Sequence, residues 1–209
     1  MNVHELLVAP YLASLVGGYL LGSIPFGVIA THLGGAGDIR TVGSGNIGAT
    51  NVLRTGRREL ALITLIGDGG KGAVAVLVAT WLLSPTAGAI AGGGAFLGHL
   101  FPFLLGFRGG KGVATFFGIL LAIAWPVGVA VGAVWVIVAA LTRYSSIASL
   151  EAALIAPALL VFLQQATVPK FCLVVGMALL IFIRHHQNIR RLIAGTEPRI
   201  GGPKASPTE

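Results

Sequence analysis

Leu60-Ala-Leu-Ile-Thr-Leu-Ile-Gly-Asp-Gly-Gly-Lys-Gly-Ala-Val-Ala-Val-Leu-Val-Ala-Thr-Trp-Leu-Leu83 decides what kind of molecule this chain makes. It is apolar over a bilayer's width, for which ~20 residues suffice. Two charges stand near its middle, in Gly67-Asp-Gly-Gly-Lys-Gly72. A charge inside a membrane is costly and is kept where it is paired or faces a polar interior. Asp68 and Lys71 are three residues apart. On a helix they share a face and can neutralise each other. Counted from Leu60, Asp68 lies ~12 Å along the helix axis. That depth reaches the floor of a cavity opening at one membrane face. A purely structural buried ion pair is the other reading, and the residues leave both open.

The rest of the chain repeats the pattern. Apolar residues make up 55% and charged residues 10%, against about 25% charged in soluble domains. Mean hydropathy is +0.89. The composition predicts an all-α integral membrane protein with seven transmembrane helices. The spans run from about Leu6 to Ala30, Leu60 to Leu83, Thr86 to Phe103, Val113 to Ala124, Pro126 to Leu141, Ile147 to Leu163 and Val168 to Ile183. The apolar run from Gly112 to Leu141 is too long for one comfortable span and short for two. Trp125-Pro126 suits a tight outer turn within it, because Pro breaks a helix and Trp favours the interface. Residues 1–200 form one transmembrane domain, and 201–209 are expected to be a disordered cytoplasmic tail. No basic residue precedes the first apolar stretch, which argues for a retained helix over a cleaved leader. Cys172 is alone, so it forms no intramolecular disulfide and no cysteine metal cluster, and is expected only to pack.

Charge placement sets the orientation. Twelve of the 14 Lys and Arg residues fall in alternate connections or after the last span. Arg40, Arg54, Arg57 and Arg58 follow span one; Arg108 and Lys111 follow span three; Arg143 follows span five. Arg184, Arg190, Arg191, Arg199 and Lys204 follow span seven, while Lys170 alone lies at the opposite face. The positive-inside rule then puts the N-terminus outside and the C-terminus in the cytoplasm, as an odd number of spans requires. The net charge of +7 reflects that bias and attraction to anionic lipid. Aromatic residues do not interleave with the basic ones, so a nucleic-acid partner is excluded.

Three polar, glycine-rich islands share the predicted cytoplasmic face. Gly43-Ser-Gly-Asn-Ile-Gly-Ala-Thr-Asn51 with Arg54 is the first. Gly43, Gly45 and Gly48 alternate there with Ser44, Asn46 and Asn51. Glycines in such a loop let backbone N–H groups converge on an anion, and Ala49 to Arg54 is expected to form a short helix facing it. Arg108-Gly-Gly-Lys-Gly112 is the second. It lacks the spacing of a P-loop, and Gly112 stands where that motif needs Ser or Thr. The third, His185-His-Gln-Asn-Ile-Arg-Arg191, puts His185 and Asn188 on one helical face. Arg143-Tyr-Ser-Ser146 adds a hydroxyl at the same surface. His99 reads as a hydrogen-bonded packing residue. Elsewhere, Gly88/Gly92, Gly94/Gly98 and Gly128/Gly132 carry the small-xxx-small spacing of packed membrane helices. Nucleophile elbows, metal-spaced histidines and a His-x4-Asp pair are all missing, and no His–carboxylate pair shows in the sequence.

Together these stretches resemble the bacterial acyl-phosphate:glycerol-3-phosphate acyltransferases (the PlsY family). The matching segments are Gly43–Asn51 with Arg54, Gly67–Gly72, His99-Leu-Phe-Pro102 running into Gly109–Thr115, Arg143–Ser146 and His185-x-x-Asn-Ile-x-Arg-Leu192. The likeness runs in order over nearly the whole chain. It implies transfer of a fatty acyl group from acyl phosphate to the sn-1 hydroxyl of glycerol 3-phosphate. The products are lysophosphatidic acid and phosphate, in the first acylation of phospholipid synthesis at the bacterial inner membrane. No cofactor, metal or acyl-enzyme is implied. The resemblance marks Ser44, Arg54, Lys111, His185 and Asn188 as catalytic. It marks Gly45, Asn46, Gly48, Thr50, Asn51, Lys71, Gly109, Gly110, Gly112 and Ser146 as substrate-binding. One division gives acyl phosphate to Ser44, the Gly45–Gly48 backbone and Lys111, and glycerol 3-phosphate to Arg54, His185 and Asn188, with Ser146 between. His185 and a substrate phosphate are both candidate bases, and the substrate-assisted route is preferred. The residues leave oligomeric state open. An anion transporter or a non-enzymatic lipid-binding partner are the rivals, and cations gathered at one face speak against a conducting path.

Overall fold

The computed structural model describes residues 3–202; of the tail expected to be disordered, 203–209 lie outside the described residues. Among the described residues ten α-helices follow one another: α1 (Val3–Gly22), α2 (Phe26–Leu33), α3 (Ala49–Val52), α4 (Arg58–Leu82), α5 (Pro85–Leu100), α6 (Val113–Ile123), α7 (Trp125–Thr142), α8 (Ser145–Phe162), α9 (Val168–Arg184) and α10 (His186–Ile193). All backbone polar groups of a lipid-exposed segment must be satisfied within it, which a helix does and an open loop does not.

Small residues set how close the helices come. α1 and α5 make the broadest contact. A Cβ added to Gly94 or Gly98 of α5 would stand 2.2 Å from the carbonyl oxygen of Leu15 or Tyr19 on α1. The α4–α6 crossing is equally tight: a Cβ on Gly118 would lie 1.9 Å from the Gly69 carbonyl oxygen. Thr115 Oγ1 donates to the Asp68 carbonyl at 2.8 Å across the same seam. Gly88 faces Thr80 and Gly92 faces Val76, as the spacing predicts, but Gly132 meets nothing within 4 Å. Phe96, Phe116, Ile119, Leu120, Leu160 and Ile181 fill the main core between these helices. Trp81, Leu141 and Phe162 point outward, as surfaces facing lipid do.

Several expectations change. The first apolar run is not one helix: α1 stops at Gly22 and α2 starts at Phe26. Pro25 has no N–H to continue the ladder, and Lys71 Nζ donates to the Ile24 carbonyl at 2.8 Å. By length and composition, five stretches can cross a membrane: Val8–Leu33, Arg58–Leu82, Pro85–Leu105, Trp125–Thr142 and Ser145–Phe162. α9 and α10 qualify as a pair bent by 54°. α6 has only 11 residues, about 16 Å of rise, so the fourth span of the sequence reading, Val113 to Ala124, does not pass on length. The break expected at Trp125-Pro126 is there, with Ala124 between α6 and α7. The bend between α9 and α10 falls at His185, so His185 and Asn188 are not on one straight helix. Cys172 is exposed on α9 rather than packed.

Candidate active site

The first island folds around Asn51. Its Nδ2 donates to the carbonyls of Val42 at 2.9 Å and Ile39 at 3.2 Å. Its Oδ1 accepts from Ser44 N at 3.1 Å, Ser44 Oγ at 3.2 Å and Arg54 Nη1 at 3.4 Å. The amide is thus fully engaged within the loop, so Asn51 holds Ser44 and Arg54 in place rather than offering donors to a ligand. Gly43 turns the chain at φ +56°, and a Cβ there would press on Asn51 Oδ1. α3 begins at Ala49 with Gly48 at its N-cap, and a 3-10 turn over Leu53–Thr55 extends it through Arg54, as expected.

The second island is tied from both sides. Gly109 N–H donates to the Leu100 carbonyl at 3.2 Å and Gly110 N–H to the His99 carbonyl at 3.1 Å. Arg184, at the end of α9, donates Nη2 to the Gly109 carbonyl at 2.9 Å and Nε to the Gly110 carbonyl at 3.2 Å. Neither glycine has an N–H left for an anion. Gly45 N–H is likewise taken by Val42. The N–H groups of these three glycines thus end on carbonyls within the loops and the end of α5. Gly112 caps α6 at φ +86°, beyond the reach of most side chains without strain.

Lys111 Nζ donates to Asn188 Oδ1. Asn188 Nδ2 donates to Glu197 Oε1 at 2.7 Å, and Arg191 Nε to Glu197 Oε2 at 2.7 Å. Burial pulls Lys111 down to about 8; Arg191, Arg54 and Arg184 add to that, and Glu197 opposes it. Burial pushes Glu197 up, but the hydrogen bonds from Asn188, Ser146 and Arg191 outweigh it and hold the carboxyl below its usual range. The guanidiniums of Arg54 and Arg191 and the Lys111 ammonium therefore stand around one carboxylate. His185 is buried, and its Nδ1 meets the Ile181 carbonyl at 2.8 Å. A carbonyl only accepts, so Nδ1 carries the hydrogen and the neutral ring keeps its free lone pair on Nε2.

These groups line one cavity of about 980 Å³. Ser44, Asn46, Gly48, Thr50, Asn51, Arg54, Lys111, Gly112, Ser146, His185 and Asn188 all face it. Ser146 Oγ is buried beside the Glu197 carboxylate and lines the same cavity. The cavity continues into a groove of Leu62, Leu65, Ile66, Phe117, Leu121 and Val136. Gly45 and Gly109 line a neighbouring cavity instead. Asp68 and His99 reach the floor, as one of the two readings required. Lys71 does not: it lies beneath, 2.8 Å from Asp68 Oδ1, with both side chains 1% exposed. His99 Nδ1 is 3.4 Å from the same oxygen. A His–carboxylate pair therefore exists, built from two helices and invisible to local spacing.

Sequence reasoning missed Glu197, Arg184 and the Asp68–His99 pair. Glu197 carried a signal, as one of only seven acidic residues, next to the basic third island. Arg184 carried a weaker one, adjoining His185.

The sequence model of a family described as glycerol-3-phosphate acyltransferase matches residues 12–195. A glycerol-3-phosphate acyltransferase of Caulobacter vibrioides is 61% identical over 208 residues, covering 97% of this chain and 94% of that one. One of Rhodospirillum rubrum is 57% identical over 196 residues, covering 90% and 89%. Among solved structures, PlsY, an integral membrane glycerol 3-phosphate acyltransferase, superposes in its glycerol 3-phosphate form with a TM-score of 0.86. Identity is 36%, over 91% of this chain and 96% of that one. Its lysophosphatidic acid form gives 0.83 at 34% identity, over 90% and 94%.

Proposed function

The chain belongs to the glycerol-3-phosphate acyltransferase family, and on that premise we propose that it acylates the sn-1 hydroxyl of glycerol 3-phosphate with acyl phosphate as donor. The observation that carries this is the shape of one cavity: a cationic head continuous with an apolar groove. A fatty acyl phosphate has those two halves. Glycerol 3-phosphate, a small dianion, needs only the head. The products are lysophosphatidic acid and inorganic phosphate.

Two phosphates must sit side by side against their mutual repulsion. Ser44 and Lys111 hold the acyl phosphate. Arg54, His185 and Asn188 hold glycerol 3-phosphate, with the Ser146 hydroxyl between. Acyl phosphate is a mixed anhydride, so its phosphate leaves without activation by an acyl-enzyme. The sn-1 oxygen attacks the acyl carbon; the carbon–oxygen bond to phosphate breaks; and the hydroxyl proton passes to a phosphate oxygen of a substrate. His185 Nε2, with its free lone pair, is the alternative acceptor. Alignment to ~3–3.5 Å and fixed positive charge supply most of the acceleration. Asn51, Gly45, Gly109 and Gly110 act by holding these groups.

The same reading sets seven crossings in the bacterial inner membrane, with the short α6 as one, the N-terminus outside and the site at the cytoplasmic face. The distribution of Arg and Lys supports that orientation. Purified protein in lipid, given acyl phosphate and radiolabelled glycerol 3-phosphate, should release phosphate and form labelled lysophosphatidic acid. Absence of both products would dispose of the proposal. Equal turnover with acyl-CoA in place of acyl phosphate would dispose of the donor assignment.

A further inference from the structure

A second cavity, of about 510 Å³, is lined by Arg40, Arg108 and Arg184 with Leu105, Phe107 and the backbone of Gly45 and Gly109. None of these arginines belongs to the head of the larger cavity. The two glycine loops form the partition between the cavities. Ser44 and Asn46 face the larger one while Gly45, between them, faces the smaller. Lys111 and Gly112 face the larger one and Gly109 the smaller.

The charge in this second cavity is incompletely neutralised. Asp38 pairs with Arg40 through Nε and Nη2 at 2.7 to 3.0 Å, leaving Nη1 unengaged. Arg184 spends Nε and Nη2 on the loop carbonyls and lies over the Phe101 ring. Arg108 is exposed and has no side-chain partner among the described residues. Guanidinium forks suit a tetrahedral oxyanion.

We propose that this cavity is a second phosphate site, a staging position for the soluble phosphate compounds of the reaction on the far side of the glycine loops. The inference rests on the proposed function, which brings one soluble dianion in and releases inorganic phosphate in each turnover. Neither can travel along the apolar groove. Both need a polar way through or around the loop wall, and the arginine cavity adjoins that wall. Its ligand is a phosphate monoester dianion or orthophosphate, held loosely enough to pass on.

Two measurements on the whole protein in nanodiscs of zwitterionic lipid test it. In the first, phenylglyoxal modification of arginines is mapped by mass spectrometry with and without inorganic phosphate or glycerol 3-phosphate. Either compound should slow modification of Arg108 several-fold in wild type, and equally in Lys111→Ala, whose inner site is impaired. Protection absent from wild type, or lost with Lys111, overturns the proposal. Protection by phosphatidic acid in the nanodisc but by neither soluble compound would make this a lipid headgroup site, and overturns it too. In the second, the Arg40→Gln/Arg108→Gln variant is assayed at low salt. KM for glycerol 3-phosphate should rise about tenfold with kcat unchanged, and the difference should shrink in 0.5 M salt. An unchanged KM, or a fall in kcat alone, overturns the staging role. A wild type that makes no lysophosphatidic acid would refute only the proposed function, since protection of Arg108 is read without turnover.

Discussion

Replacing Gly118 by Ala adds one methyl group where α6 crosses α4. That Cβ would lie 1.9 Å from the Gly69 carbonyl oxygen, 2.6 Å from its carbon and 3.0 Å from its Cα. All three are backbone atoms, so no side chain can swing away. Ordinary contact begins near 3.4 Å, so the helices must part by roughly 1.5 Å. Overpacking of this kind costs about 1–3 kcal/mol. The larger effect falls on the site. α6 starts at Val113, directly after Lys111-Gly112, and Gly69 adjoins Asp68 on the cavity floor. A misplacement of ~1 Å in a catalytic constellation can lower turnover ~100-fold. Gly118→Ala should therefore reduce kcat by ~10² while lowering the unfolding midpoint modestly. Gly17→Ala and Gly176→Ala are the controls, because a Cβ at either meets nothing within 4 Å and neither lines a cavity described above. In these helices Ala is better than Gly by about 0.5–1 kcal/mol, so both should match or exceed wild type in stability and keep its rate. The assay is lysophosphatidic acid formation in nanodiscs, with thermal unfolding of the same samples. A Gly118→Ala protein indistinguishable from Gly176→Ala in both would refute the idea that this seam sets the position of Lys111.

Lys111→Ala and Arg54→Ala should each abolish nearly all turnover while the protein stays folded in the membrane; near-normal rates from either would remove that residue from the site. Asp68→Asn leaves the Lys71 ammonium without its partner, which should cost about 3–5 kcal/mol of stability, and adding Lys71→Met should restore much of it. Denaturation in detergent reads this, and an unaffected single variant would contradict the pairing. Lys111, drawn down to about 8, is charged below that pH and neutral above it. kcat/KM should fall as pH rises through about 8, while kcat, measured with anions bound, should hold to higher pH; a flat kcat/KM up to pH 9.5 would count against Lys111 as an anion ligand. His185→Ala should retain measurable activity with the wild-type pH dependence if a substrate phosphate takes the proton, whereas an altered profile would favour the imidazole.

What the sequence disclosed depends on the range of the interaction. Hydrophobic run length is local, so α4, α5, α7 and α8 were legible, and so was the break at Trp125-Pro126. The break at Pro25 was also written in the chain but was masked by the apolar residues around it. Ser44, Arg54, Lys111, His185, Asn188 and Ser146 were legible as polar groups at one face, and they do share a cavity. Contacts between distant segments were not legible. His99 meets Asp68 from another helix, and Arg184 meets the Gly109–Gly110 loop from α9. Glu197 completes a chain from Lys111 through Asn188 to Arg191 that no spacing rule describes.

The glycine islands show a use of glycine that composition alone does not reveal. A glycine loop beside basic residues suggests backbone N–H groups cradling an anion. Here the donors of Gly45, Gly109 and Gly110 already end on Val42, Leu100 and His99. Their small size has another use. A Cβ on Gly110 would stand 2.2 Å from His99 Nε2, and one on Gly109 would stand 2.1 Å from the His99 carbonyl oxygen. The loop can therefore lie flat on the end of α5, over the buried Asp68–His99 pair, with Arg184 clamping its upper carbonyls. A seat fixed in this way keeps the flexible Lys111 side chain pre-positioned before substrate arrives, which reduces the ordering cost of binding. The charge comes from a few long side chains, and the glycines determine where those side chains start.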